Sequence, residues 1–288
     1  MKEVKIHPKA IVDSGAILEE GVEIDAYAVV EKGVRLGKNC RISCFAHIKQ
    51  NTQVEGNTFI GKGALIGEFP QILGKSFKES VGRVYIGKNN IIREYVTIHA
   101  PSNPQNITYI GDNNYLMGFV HIAHDCYLEN NIVICNGTLL AGYVKVEERV
   151  FISGNVVVHQ FCRIGRLAMI GGLSRVNQDV PPFMMVVGDS KVWGINSVGI
   201  KRAGLKGEDL KEIKKIFNIL YRKKNSFKNA LEELKKLNSG YVKEVIDFIL
   251  SSQRGICGPK RGTFLEKIFL DYPYFLRTKI PTYFVGKN

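Results

Sequence analysis

In the stretch Ile24-Asp25-Ala26-Tyr27-Ala28-Val29-Val30-Glu31-Lys32-Gly33-Val34-Arg35-Leu36, an aliphatic residue returns at every sixth position: Ile24, Val30 and Leu36. The spacing continues on both sides, through Ile6, Val12 and Leu18 before it and Ile42, Ile48, Val54, Ile60 and Ile66 after it. That makes eleven positions without a break. Four residues beyond most of them lies a small or modest side chain: Ala10, Ala16, Val22, Ala28, Val34, Cys40, Ala46, Thr52, Thr58, Ala64. This is neither the 3.6-residue period of an amphipathic helix nor the alternation of a half-buried strand. A repeat of six predicts a parallel β-helix, in which each aliphatic side chain points into a narrow interior and stacked neighbours share the backbone hydrogen bonds. Three hexads make one triangular turn, so residues 18 apart stack.

Working outward, the period breaks after Ile66, where Gly67 to Val84 predicts a loop leaving the coil. Hexads resume at Ile86, Ile92 and Ile98, pass a polar stretch at Pro101 to Asn106 read as a second small loop, and run from Ile110 to Val176. Insertions in repeat proteins project from one face, often the binding face. Pro181-Pro182 is expected to end the coil. The fold class is therefore mainly β, with three parts: residues 1–190 a catalytic β-helix, 191–257 an α-helical C-terminal domain, and 258–288 a basic, aromatic tail without an assigned role. In the helical part, Gly207 opens a run with Ile213, Ile216, Phe217, Ile219 and Leu220. Ser226 is an expected N-cap for Phe227 to Leu237, and Tyr241 to Leu250 reads as a third helix.

Hydrophobic residues at 45% and charged residues at 23% of 288 are those of an ordinary globular protein, which argues against disorder. No apolar run approaches a membrane span and the first residues lead straight into the repeat, which predicts a cytoplasmic protein. The six cysteines form no CxxC pair, so no metal site or redox motif is expected; Cys40, Cys126 and Cys162 fall in small-residue slots of the hexads. Charge is uneven, since residues 199–288 hold 20 of the 40 basic residues but only 9 of the 27 acidic ones. Such a module calls for an acidic partner, and without a recognisable nucleic-acid-binding motif, nucleic acid is not the expected one.

The densest chemistry lies at His121-Ile122-Ala123-His124-Asp125-Cys126, where two imidazoles stand beside a carboxylate that could orient one of them. With 18-residue turns, His124 stacks beneath Gly142 and Gly142 beneath Gln160. That column lines up a base, an unencumbered backbone amide and a side-chain amide, which is the layout an acyl transfer needs. Together with Ile92 to His99, Val158 to Cys162 and Asn177 to Pro182, this segment closely resembles the acyl-carrier-protein-dependent UDP-N-acetylglucosamine O-acyltransferases of lipid A biosynthesis, over roughly residues 1–257.

The resemblance implies a left-handed coil and a cytoplasmic homotrimer with active sites between adjacent chains. It implies His124 as general base on the sugar 3-hydroxyl, Asp125 as the group holding its imidazole, and the Gly142 N–H facing the oxyanion. No cofactor or metal is implied, and the donor is the phosphopantetheine thioester of acyl carrier protein, which the basic helices would dock. By the same match Gln71, His121 and Gln160 would contact sugar or pantetheine, Asn196 and Arg202 the nucleotide of the UDP-amino sugar, and Gly172 the acyl-chain groove, where glycine goes with a long chain. His159 and His99 fit either a substrate contact or a structural role. The chain departs from the pattern at Ile72-Leu73-Gly74, Tyr143 and Val198. These lie on the acceptor side, which keeps open a 3-amino or other nucleotide sugar, or a non-catalytic β-helix that binds carrier protein or lipid.

Overall fold

Each hexad folds into a two-residue strand, a bend and a turn, and the aliphatic residue of each strand faces inward: Ile48, Ile66, Ile98 and Ile122, successive rungs of one wall, are all fully buried. The computed structural model describes residues 2–76, 79, 81–223, 227–237 and 239–259. The described strands form three sheets of twelve, nine and eight strands, parallel but for one antiparallel pair at the C-terminal end of the first, which begin at Lys5–Ile6, Ile11–Val12 and Ile17–Leu18 and wind into a left-handed parallel β-helix. Register follows the 18-residue turn where the coil is uninterrupted, as in Glu23↔Arg41 and Leu139↔Val157, and lengthens by the inserted residues elsewhere, as in Thr97↔His121.

A triangular coil must bend sharply three times per turn, and the third residue after most aliphatic positions does so with positive φ. At the corner from the third sheet back to the first these residues include Asn39, Asn57, Asn89, Asn113 and Asn131, a side chain that tolerates the left-handed region. At the corner from the first sheet to the second, Tyr27, Phe45, Tyr95 and Phe119 adopt it instead. A non-glycine residue there costs about 1–2 kcal/mol. Face-to-face stacking of Tyr27 on Phe45 at 5.3 Å and of Tyr95 on Phe119 at 5.2 Å offsets about 0.5–1.5 kcal/mol per pair.

Pro181-Pro182 does not end the coil. Met184–Val187 adds a further parallel rung on Met169–Ile170, and the antiparallel strand Lys191–Ile195 covers it. The prolines fall at a corner, a place where the ladder asks for no proline N–H, and Phe183 makes the positive-φ bend there. The chain then forms four helices among the described residues, one more than the sequence predicts: α1 Ser197–Arg202, α2 Glu208–Phe217, α3 Phe227–Lys235 and α4 Gly240–Leu250. A π-helical turn, Asn218–Arg222, extends α2. α1 is missed because six residues are too short to show a period. Ser226 and residues 260–288 lie outside the described residues. Arg166 binds Glu244 of α4 through two 2.8 Å hydrogen bonds, and the Arg163 guanidinium lies 4.2 Å from the Phe248 ring centroid, which fixes the helices on the coil.

Candidate active site

Two insertions and the turn that bears the His/Asp pair fall on one edge of the prism, the corner from the second sheet to the third. The first loop leaves Leu65–Glu68 and returns at Arg83–Ile86, so the strands reach slightly further than the sequence predicts on both sides, with a shift of register between Ile66 and Glu68. The second joins Thr97–His99 to Ile107–Ile110, and the turn carrying His124 and Asp125 joins His121–Ile122 to Tyr127–Leu128 on the next rung. Each inserted segment is thereby brought to the edge that bears the His/Asp pair.

Asp125 is the left-handed residue of its turn, with φ of 60°, and its carboxylate is nearly buried. Oδ2 accepts from the Ser102 backbone N–H at 2.9 Å and from His124 Nδ1 at 2.7 Å, while Oδ1 accepts from Asn106 Nδ2 at 2.7 Å. The Asp125 N–H donates to Thr108 Oγ1 at 3.0 Å. Burial pushes the acid up, but the donors His124, Ser102 and Asn106 together outweigh it and hold its pKa at about 2. An ionised carboxylate only accepts, so Nδ1 of His124 must carry the proton and Nε2 keeps a free lone pair. The pair is thus set as a base.

The Nε2 side of that ring lies against Gly142. A Cβ built on Gly142 would stand 2.5 Å from Cε1 and 2.6 Å from Nε2 of His124, so the glycine is first of all a seat for the imidazole. The Gly142 N–H donates to no acceptor among the described residues, which leaves it beside the base and open to an oxygen. Phe161 N donates to Gly142 O at 3.1 Å and puts the exposed Gln160 one rung further along the same edge.

His121 projects from the adjoining wall, with Nδ1 2.7 Å from Thr97 Oγ1 and its ring edge-on to His99 at 5.0 Å. Burial, with His99 and His124 nearby, lowers its pKa to about 4. His99 is buried and donates to the Phe69 carbonyl at 2.7 Å, pinning the first loop to the wall; burial lowers its pKa as well. Gln71 and His159 are both exposed, the latter with Nδ1 3.2 Å from Gln160 O.

The remaining expected site residues sit elsewhere on the prism. Asn196 is the N-cap of α1: Oδ1 accepts from Gly199 N at 2.9 Å and Nδ2 donates to Leu167 O at 2.8 Å, on the third-to-first corner. Arg202, in the last turn of α1, is exposed. Gly172 lies on the first-to-second corner, where an added Cβ would be 3.5 Å from its nearest neighbour, so neither crowding nor backbone angle requires glycine there. Ser102, Asn106 and Thr108 were not expected in the site. Among the described residues no cluster of three or more His, Cys, Asp or Glu could hold a metal ion, and no helix is long and apolar enough to cross a membrane.

Residues 179–257 match the family described as UDP N-acetylglucosamine O-acyltransferase, domain 2, and residues 15–50 and 107–142 match the bacterial transferase hexapeptide (six repeats). Over 260 residues the chain is 38% identical to the acyl-(acyl-carrier-protein)–UDP-N-acetylglucosamine O-acyltransferase of Paraburkholderia phymatum, covering 88% of this chain and 98% of that one. It is 41% identical over 207 residues to the protein of the same name from Gloeothece citriformis, covering 69% and 74%. The structure is similar to that of the Francisella novicida UDP-N-acetylglucosamine acyltransferase, with a TM-score of 0.85, 35% identity and 89% and 95% coverage. Against the Arabidopsis UDP-N-acetylglucosamine acyltransferase the TM-score is 0.78, at 33% identity and 88% and 99% coverage.

Proposed function

The chain belongs to the acyl-carrier-protein-dependent UDP-N-acetylglucosamine O-acyltransferases, and from that premise we propose how its own residues carry the reaction. It is an acyltransferase that moves a 3-hydroxyacyl chain from acyl carrier protein to the 3-hydroxyl of UDP-N-acetylglucosamine, the first step of lipid A biosynthesis. His124 Nε2 takes the proton of the sugar 3-hydroxyl as its oxygen attacks the thioester carbonyl carbon. Asp125, ionised, stabilises the imidazolium that forms. The Gly142 N–H meets the oxyanion of the tetrahedral intermediate. On collapse the carbon–sulfur bond breaks, the thiol of the carrier leaves with the proton from the imidazolium, and the ester remains on the sugar. No covalent enzyme intermediate is needed.

The observation that carries this reading is the seat of His124: Nδ1 tied to a buried carboxylate, Nε2 set against the free amide of Gly142. Gln71, His121, His159 and Gln160 then bind sugar or pantetheine, Arg202 binds the nucleotide, and Asn196 fixes the helix that carries Arg202. Gly172 leaves room for a long acyl chain. The base, the anchor of the helix that bears Arg202, and Gly172 occupy three different edges of one prism. One chain therefore cannot gather them around one substrate, which favours a homotrimer whose neighbouring chains share each site. Lys211, Lys214, Lys215 and Lys223 line a depression on the helices with Asn218, Ile219 and Glu233. This surface suits the acidic carrier protein that delivers the donor, in the cytoplasm where both substrates are soluble. His124→Ala tests the reading: transfer should fall by about a hundredfold to ten-thousandfold, the usual worth of a positioned base.

A further inference from the structure

The hydroxyl of Tyr143 has a partner within the chain. It makes a 2.9 Å hydrogen bond with Ser102 Oγ, across 41 residues of sequence, while the ring meets the His124 imidazole edge-on at 5.3 Å and stacks on Phe161 at 4.9 Å. Ser102 is the residue whose backbone N–H binds Asp125 Oδ2, the oxygen that also holds His124. Four residues thus form a closed circuit: His124 to Asp125, Asp125 to Ser102, Ser102 to Tyr143, and the Tyr143 ring back to His124. Within the second loop, Asn106 N donates to Asn103 O at 3.0 Å and Gln105 N to Asn103 Oδ1 at 3.0 Å, bonds that shape the loop without fastening it to the coil. Its ties to the coil are those of Asn106 Nδ2 and Ser102 N to Asp125, of Arg83 N to Asn106 O at 3.3 Å, and of Ser102 Oγ to Tyr143.

We propose that Ser102 and Tyr143 are positioning residues of this enzyme: the Tyr143 hydroxyl clamps the Pro101–Asn106 loop so that the Asp125 carboxylate is held in line with His124 Nδ1. This rests on His124 being the base. A carboxylate oxygen shared between two donors turns readily if one donor drifts, and the Ser102 N–H keeps its place only as firmly as Ser102 itself is held. The bond from Tyr143 holds Ser102 from the coil side, and through it the carboxylate and the ring that must reach the sugar hydroxyl. The departure at Tyr143 is then a change in how the dyad is supported, not in what it accepts.

Tyr143→Phe keeps the ring and its stacking and removes only the clamp; Ser102→Ala removes the same bond from the other side. Each should lower kcat about three- to tenfold, the worth of one part-buried hydrogen bond, with KM for both substrates within twofold. The double variant should be no slower than the slower single one, because both remove one interaction. The ratio of rates on UDP-N-acetylglucosamine and its 3-amino analogue should not change. Unchanged kcat in both single variants, additive losses, or an altered acceptor ratio would each overturn the proposal. Thermal unfolding of each variant identifies a loss due to misfolding, and a fall in activity that tracks loss of folded protein in both also overturns it. Measured beside them, an active His124→Ala would instead remove the base itself, a different failure from an inactive His124→Ala with an unaffected Tyr143→Phe.

Discussion

At Asp125 a buried carboxylate is held ionised down to about pH 2 by three surrounding groups, and that charge fixes the proton of His124 on Nδ1. Depression below the ordinary value near 3.9 means that Asp125 adds stability above about pH 4, which fades as pH falls toward 2. The neighbouring imidazoles behave differently, because burial lowers both His121, to about 4, and His99. Because burial keeps His121 neutral down to about pH 4, its protonation should not contribute to any change of kcat between about pH 8 and 6; a limb of the pH–rate profile in that range that is lost in His121→Gln would contradict this. Gly142→Ala places a methyl 2.6 Å from Nε2 of His124 while its backbone needs no left-handed angle. The ring must move by overpacking worth about 1–3 kcal/mol. We expect kcat to drop about tenfold or more with the melting point lowered by only a few degrees; an alanine variant with full turnover would show that the imidazole need not sit there.

Among the elements, α1 depends on one residue. Asn196 caps it with Oδ1 and ties it to the coil with Nδ2, so Asn196→Ala should cost about 0.5–2 kcal/mol of stability and speed amide exchange in Ser197–Arg202. Asn196→Asp, which keeps the capping oxygen, should recover most of the cap; equal losses in both variants would show that the cap is not what holds the helix. The sequence carries the coil plainly because its period is covalent: Ile24, Val30 and Leu36 must each reach the interior, and nothing else spaces aliphatic residues by six. It also brings His124, Gly142 and Gln160 to one edge by counting. It does not give Ser102 and Asn106 to Asp125, because loop residues have no period and their reach is set by where the loop folds back. The signal was nonetheless there: the polar stretch Pro101–Asn106 leaves the rung next to His124, at the same corner. Nor does a residue type reveal that Asn196 is spent on a cap, since asparagine suits a cap and a ligand equally.

For the whole molecule, the placement of base, cap and groove glycine on three edges predicts an assembly. Sedimentation should give three times the 32.3 kDa chain mass, and a stable, active monomer would contradict a shared site. Shared sites also predict complementation: mixing denatured and refolded His124→Ala and Arg202→Ala chains should restore activity that neither has alone. The most direct test of the chemistry is a transfer assay with purified protein, 3-hydroxyacyl carrier protein, and UDP-N-acetylglucosamine beside its 3-amino analogue, run with His124→Ala. Transfer to the 3-hydroxyl that disappears in the variant is the expected result; transfer that survives the loss of His124 would contradict the imidazole as the base.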